Sequence, residues 1–270
     1  MRKLRLNRDL PWVTIVVMAI CIIIFALVHF AGFDNSSESA ILYGAYYKAF
    51  IVAGEWWRLI TVGFVHVQVW HIVMNLAAFW SLGSILEHIY GRLKYAVILF
   101  VSILSGSLFL FIMTGNEVSV GLSGGLYGLM AAEIYWVVKN GGLQNPSVKN
   151  PLIETVVINA AINFVGGVAW QAHIGGFIGG LILAVLFDTD PSVASLRKNT
   201  AVSSVILCVV LGYFVSRSCT IPTDEQYIGS DYRILEYEKE HGLSKHAENM
   251  ATRLDEIYGT TILSSYIKGE

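Results

Sequence analysis

Charge is scarce in this chain. Asp, Glu, Lys and Arg make up only 14% of its 270 residues, against 55% hydrophobic residues, and the mean hydropathy is +0.60. That excludes an ordinary soluble domain of this length. The net charge of −2 comes with no basic block, which argues against a nucleic-acid partner. Cysteine is also sparse. Cys21, Cys208 and Cys219 form no disulfide framework, and the two in apolar runs, Cys21 and Cys208, read as buried free thiols. No internal repeat of fixed period is evident.

What the chain does have is long apolar runs. Seven stand out, at 12–33, 69–89, 95–113, 122–138, 152–168, 169–187 and 200–216. About 20 residues at 1.5 Å rise cross the hydrocarbon core of a bilayer, so these read as membrane-spanning helices. The first follows Arg2, Lys3, Arg5 and Arg8 but is longer than a cleaved signal's apolar region and lacks a small-x-small cleavage site, so it is retained. The fifth carries Glu154, Asn159 and Asn163, and the seventh is short.

Between the first two runs, residues 34–65 hold Tyr43, Tyr46, Tyr47, Phe50, Trp56, Trp57 and Phe64. An aromatic-rich loop of that kind suits the membrane interface. With a cytoplasmic N-terminus, the inner segments carry Arg2, Lys3, Arg5, Arg8, Arg92, Lys94, Lys139, Lys149, Arg197 and Lys198, while the outer ones before the tail carry only Lys48 and Arg58. That asymmetry follows the positive-inside rule. The expected organisation is a basic cytoplasmic N-terminus (1–11), a core (12–190) with an interfacial loop (34–65), an extra spanning helix (199–217) and a soluble tail (218–270); with seven spans the tail emerges outside, with six it stays inside. The tail stretch "DYRILEYEKEHGLSKHAENMATRLDEIY" predicts one or two amphipathic helices that dock or stabilise.

Polar side chains inside apolar runs are costly there and are functional candidates by default. They fall in three groups. In "HVQVWHIVMN", His71 and Asn75 share one helix face, whereas His66 points elsewhere. This is not H-E-x-x-H, and no acidic or cysteine partner completes a metal site, so no metal or other cofactor is expected. Alone, each residue would serve to hydrogen-bond neighbouring helices. In "VGLSGGLYGL", Ser123 sits among Gly121, Gly124, Gly125 and Gly128, with Tyr127 one turn on. Glycines at i, i+4 let helix backbones approach, and Ser123 alone would be one more small residue at that contact. In "WQAHIGGFIGG", His173 adjoins Ala172, Gly176 and Gly180 on one face, with Gly175 and Gly179 beside them.

Two glycine faces packed together would bring His173 to Ser123. The imidazole then becomes a candidate general base for an otherwise weak nucleophile. His71, Asn75 and the Ser123 amide are suitable donors to an oxyanion. No acid is placed to orient His173, because Glu87 and Glu133 lie toward the cytoplasmic side, so the expected unit is a dyad.

Together the three groups resemble the rhomboid family of intramembrane serine proteases. The match rests on His66, His71 and Asn75 (H-x4-H-x3-N); Gly121, Ser123, Gly124 and Tyr127 (G-x-S-G with a following tyrosine); and Ala172, His173, Gly175 and Gly176 (A-H-x-G-G). Trp57–Arg58 and the Gly83, Glu87, Gly91 pattern add to it. The resemblance implies an all-α membrane protein, a six-helix transmembrane bundle with a seventh C-terminal transmembrane helix and a short soluble helical tail.

It further implies a Ser123–His173 dyad, with His71 and Asn75 stabilising the transition state. His66 would be a structural partner, Tyr127 would stack on His173, Trp57 and Arg58 would brace the loop, and Glu87 would tie helix ends together. Gly121, Gly124, Gly176 and Gly180 would supply the close contacts. Catalytically dead relatives lose the serine or histidine, and both are present here. The implied partners are transmembrane protein substrates and the lipid bilayer, with small residues preferred before the cut and lateral entry between the second and fifth spans. Oligomeric state is not specified. A plasma-membrane location is expected, since no long targeting presequence precedes the first span. Two other readings are a non-proteolytic rhomboid-like chaperone or adaptor for transmembrane helices, which the intact pair argues against, and a small proton-coupled transporter, which would show inverted repeats.

Overall fold

The protein is described from a computed structural model covering residues 10–31, 33, 36–164, 167–221 and 225–269; Arg2, Lys3, Arg5 and Arg8 lie outside these residues. Helix α1 (Trp12–Phe30) is followed by α2 (Ser36–Leu42), strand β1 (Tyr46–Tyr47), α3 (Lys48–Val52), α4 (Arg58–Thr61) and a 3-10 turn. Then come α5 (Val69–Tyr90), α6 (Arg92–Met113), strand β2 (Val118–Ser119), α7 (Ser123–Lys139), α8 (Pro146–Ile162), α9 (Trp170–Leu186) and α10 (Ala194–Arg217). The tail forms α11 (Glu225–Glu238), α12 (Ser244–Tyr258) and α13 (Ile262–Lys268). The two strands pair antiparallel, Tyr46 opposite Ser119.

This is an all-α membrane protein. By length and composition α1, α5, α6 and the stretch Pro191–Arg217 can each cross a membrane, and Trp170–Leu186 is a shorter apolar helix. Helices α7 and α8, of 17 residues each, reach about 25 Å. Some sequence-based boundaries shift. The first helix stops at Phe30 rather than Phe33. The fifth span begins at Pro146 and ends at Ile162, not 152–168: the Asn145 side chain accepts from the Ser147 N–H at 3.0 Å and proline takes the first turn, where its missing N–H costs nothing. The seventh is not short. Its helix runs through Arg197 and Lys198 to reach 24 residues. Residues 34–65 are largely folded into α2, β1, α3, α4 and the 3-10 turn rather than a loop. Cys208 is exposed on α10 rather than buried, while Cys21 is buried.

Helix α9 packs between α6 and α7, because glycines line both of its flanks. A Cβ at Gly176 or Gly180 would overlap the Gly124 or Gly128 backbone on α7. A Cβ at Gly175 would lie 2.5 Å from the Ser105 carbonyl oxygen on α6, and the Ala172 carbonyl abuts Gly106 in the same way. Large side chains fill the rest of the core, among them Phe79, Tyr95, Ile98, Leu99, Phe111 and Leu129. Helix α8 is the exception: Leu152 is its one buried side chain among the described residues.

The two ends of the bundle differ. At one, Glu87 on α5 accepts from the Val13 and Thr14 N–H groups at 3.0 Å each and from the Thr14 hydroxyl at 2.9 Å. It thereby satisfies orphan donors at the start of α1. At the same end Lys139 pairs with Asp188 and with Asp190, the latter at 3.4 Å. At the other end the tail packs on the segment between α1 and α5. Tail residues Ile234, Leu235, Met250 and Leu254 share an apolar core with Ile41, Tyr47 and Phe50. Arg233 pairs with Glu38 at 2.5 Å, His246 Nε2 lies 3.0 Å from Glu55, and Arg253 donates to the Ala53 carbonyl at 2.9 Å. The tail holds three helices, more than the sequence suggested, separated at Gly242 (φ +89°) and Gly259 (φ +69°). Docked there, the tail lies at the end of the bundle where α7 begins.

Candidate active site

Ser123 is the first residue of α7. Its amide is among the N–H groups that a helix cannot satisfy internally, and it sits at the positive end of the helix dipole. The chain reaches it through Gly121, whose φ of +117° only glycine adopts without strain. The missing side chain there also makes room for an imidazole, since a Cβ at Gly121 would lie 2.7 Å from His71 Cε1. The Gly121 N–H is held by the Val62 carbonyl at 3.1 Å, which ties the start of α7 to the segment before α5.

His173 is buried on α9, and its Nε2 lies 2.8 Å from Ser123 Oγ. The glycine contacts between α7 and α9 set that distance, because they bring the two backbones together just below the pair. The Tyr127 ring stacks on the imidazole, centroids 4.1 Å apart and planes 7° from parallel. Nδ1 of His173 lies 2.5 Å from Asn163 Oδ1 at the end of α8, and Asn163 Nδ2 donates to the Tyr127 hydroxyl at 2.9 Å. That hydroxyl donates in turn to the Asn159 carbonyl at 2.6 Å.

On the facing helix, Asn75 donates one N–H to the His71 carbonyl at 2.9 Å. It is buried, and its Oδ1 has no partner among the described residues. His66 is fully buried and edge-on to His71, centroids 5.2 Å apart. Burial, helped by the neighbouring His71, pushes His66 down to about 4, so its ring is neutral near pH 7. A neutral ring fits its bonds: Nε2 accepts from the Leu122 N–H at 3.4 Å while Nδ1 faces the Phe64 carbonyl at 3.4 Å.

Other candidates lie away from this cluster. Arg58 is buried above it, donating to Glu55 at 2.5 Å and to the Ile41 and Ala45 carbonyls at 2.5 and 3.1 Å. Of the Trp57–Arg58 pair, Arg58 holds the segment together, whereas Trp57 is half exposed. Glu87 is at the opposite end, capping α1. In the sequence Asn163 is only one of three polar residues in the fifth apolar run, and its place beside His173 is not legible there. Its one signal was an amide near the end of an apolar run, ten residues before the histidine.

A helical membrane bundle with a part-buried serine–histidine pair at a glycine-lined contact defines a class of polytopic membrane protein with a nucleophilic centre. Comparison gives the family. The Rhomboid domain model matches residues 53–188, half of the chain, and the chain belongs to the rhomboid family. It is 28% identical over 204 residues to Rhomboid protease GluP of Bacillus subtilis (strain 168), covering 75% of this chain and 40% of that protein. It is 24% identical over 243 residues to Rhomboid protease AarA of Providencia stuartii, covering 80% and 86%. It is 32% identical over 137 residues to Inactive RHOMBOID-like protein 8 of Arabidopsis thaliana, covering 50% and 39%. The chain thus spans less than half the length of the Bacillus relative, and the family holds inactive members beside proteases.

Proposed function

We propose that the protein is an intramembrane serine endopeptidase acting through a Ser123–His173 dyad on transmembrane segments of other membrane proteins. The observation that carries this reading is the 2.8 Å contact between His173 Nε2 and Ser123 Oγ, part-buried between two helices. His173 takes the hydroxyl proton as Oγ attacks the scissile carbonyl, then returns it to the leaving amine. The oxyanion receives the Ser123 amide, the second Asn75 N–H and the His71 ring. His66 positions the start of α7, and Tyr127 holds the imidazole plane. The domain scheme follows: a core from residue 12 to about 190, an added span in α10, and a tail on the side where α7 begins. The N-terminus is cytoplasmic, since Arg92, Lys94, Lys139, Lys149, Arg197 and Lys198 all fall in segments at the end opposite the tail. A substrate helix must unwind locally to expose its carbonyl, so helix-weakening residues near the cut favour it.

The test uses purified full-length protein in liposomes. Wild type cleaves a model transmembrane substrate and takes a fluorophosphonate label; Ser123→Ala does neither. Equal cleavage by the two would end the protease reading and leave that of a helix-binding adaptor.

A further inference from the structure

We infer that Asn163 is a positioning residue for the histidine, so that the working unit is Ser123–His173–Asn163 rather than a bare pair. The inference rests on the protease reading above and adds to it a role for the end of α8. A neutral imidazole must carry its proton on Nδ1 if Nε2 is to accept from a serine hydroxyl. Something must therefore accept from Nδ1. Among the described residues no acid approaches it, but Asn163 Oδ1 lies 2.5 Å away.

The amide is itself oriented. Its Nδ2 donates to the Tyr127 hydroxyl at 2.9 Å and to the Asn159 carbonyl at 3.0 Å, and the hydroxyl donates to the same carbonyl at 2.6 Å. With both N–H groups directed at oxygens, a flipped amide would set its Oδ1 against the Asn159 carbonyl and would lose the N–H bond to the Tyr127 hydroxyl. Oδ1 is thus locked toward the ring. Tyr127 acts twice, through its face on His173 and through its hydroxyl on Asn163.

The support comes from an element with little other attachment. Leu152 is the one buried side chain of α8 among the described residues. The hydrogen bonds of Tyr127 and His173 to Asn159 and Asn163 tie the far end of this helix to the catalytic pair. The state of the base is therefore linked to the docking of α8: where the helix end is seated, Nδ1 has its acceptor and Nε2 its free lone pair.

The experiment measures kcat and KM for cleavage of a model transmembrane substrate in liposomes by wild type, N163A, N163D and Y127F. Fluorophosphonate labelling of Ser123 and thermal unfolding are recorded alongside. Loss of an orienting partner in comparable hydrolytic units costs up to about 10⁴ in kcat; for a neutral amide a loss of about 100-fold is expected in N163A, with KM within about twofold. N163D keeps an acceptor for Nδ1 and is expected within about tenfold of wild type. Y127F keeps the stacked ring but loses the clamp, with an expected drop of about 5- to 10-fold. Wild-type kcat in N163A, or N163D falling as far as N163A, would overturn the inference. Should N163A fail to assemble, Y127F decides in the same way. Cleavage by Ser123→Ala at the wild-type rate would instead remove the protease reading itself, and this inference with it.

Discussion

At the scale of single residues, the site depends on Gly121 as much as on the groups that react. Its positive φ turns the chain into α7, and its missing Cβ leaves the space that the His71 ring fills. Gly121→Ala is expected to cost about 1–3 kcal/mol in backbone strain alone, and to displace the ring as well. Thermal unfolding and fluorophosphonate labelling would read the two effects separately; a variant with wild-type values in both would refute the account. The motif residues were legible one by one, since hydroxyl, imidazole and amide groups are conspicuous in apolar runs. Asn163 was equally conspicuous but had no assigned partner, because its contact depends on where α8 ends.

At the scale of elements, the glycine pattern decides which helices touch. Ala172, Gly176 and Gly180 were readable as one face from their spacing, and Gly175 and Gly179 as its neighbour. That the two flanks meet different helices, α7 and α6, came only with the packing. Gly176→Val would drive a branched side chain into the Gly124 backbone. Overpacking of this kind costs about 1–3 kcal/mol, and here it also separates Ser123 from His173. The expected result is lower thermal stability with a larger fall in cleavage. Gly212 on α10 is the control, for nothing lies within 4 Å of a Cβ built there. Gly212→Ala should leave activity unchanged and stability equal or higher by up to about 1 kcal/mol. An equal loss in both variants would show that glycine content, not close approach, matters.

At the scale of the whole molecule, the tail is joined to the bundle through buried polar groups. Asp231 is fully buried and accepts from the Tyr47 and Tyr258 hydroxyls at 2.8 Å each. Burial raises it to about 6 despite those hydrogen bonds. Burial also raises Glu238, which lies 3.7 Å from His246. A carboxyl whose folded pKa is raised binds its proton more tightly when docked. Its effect on docking is therefore most favourable below the unfolded value near 4 and is lost as pH rises through about 6. Asp255 works in the opposite sense, its carboxylate held below the ordinary range by bonds from Thr260, Leu263 and Ser264 against the pull of burial. That matters only below about pH 4. Amide protection in α11 and α12, taken relative to the intrinsic exchange rate at each pH, is thus expected to be higher at pH 5 than at pH 8, with a weaker pH dependence in Asp231→Asn. Equal protection at the two pH values would contradict it.

Taken alone, the sequence settled what the chain must be made of: apolar runs of membrane-crossing length, a charge asymmetry between their ends, and a hydroxyl and an imidazole on separate runs lined with glycine. These are local properties, carried by periodicity and composition within a single helix. Three matters were left to the tertiary structure: the seating of α9 between α6 and α7, the Asn163 amide against His173, and the tail folded back on residues some 200 positions earlier. Each depends on the position of one element relative to another, which no spacing along the chain encodes, and each is held by short-range contacts that exist only once the backbones have met.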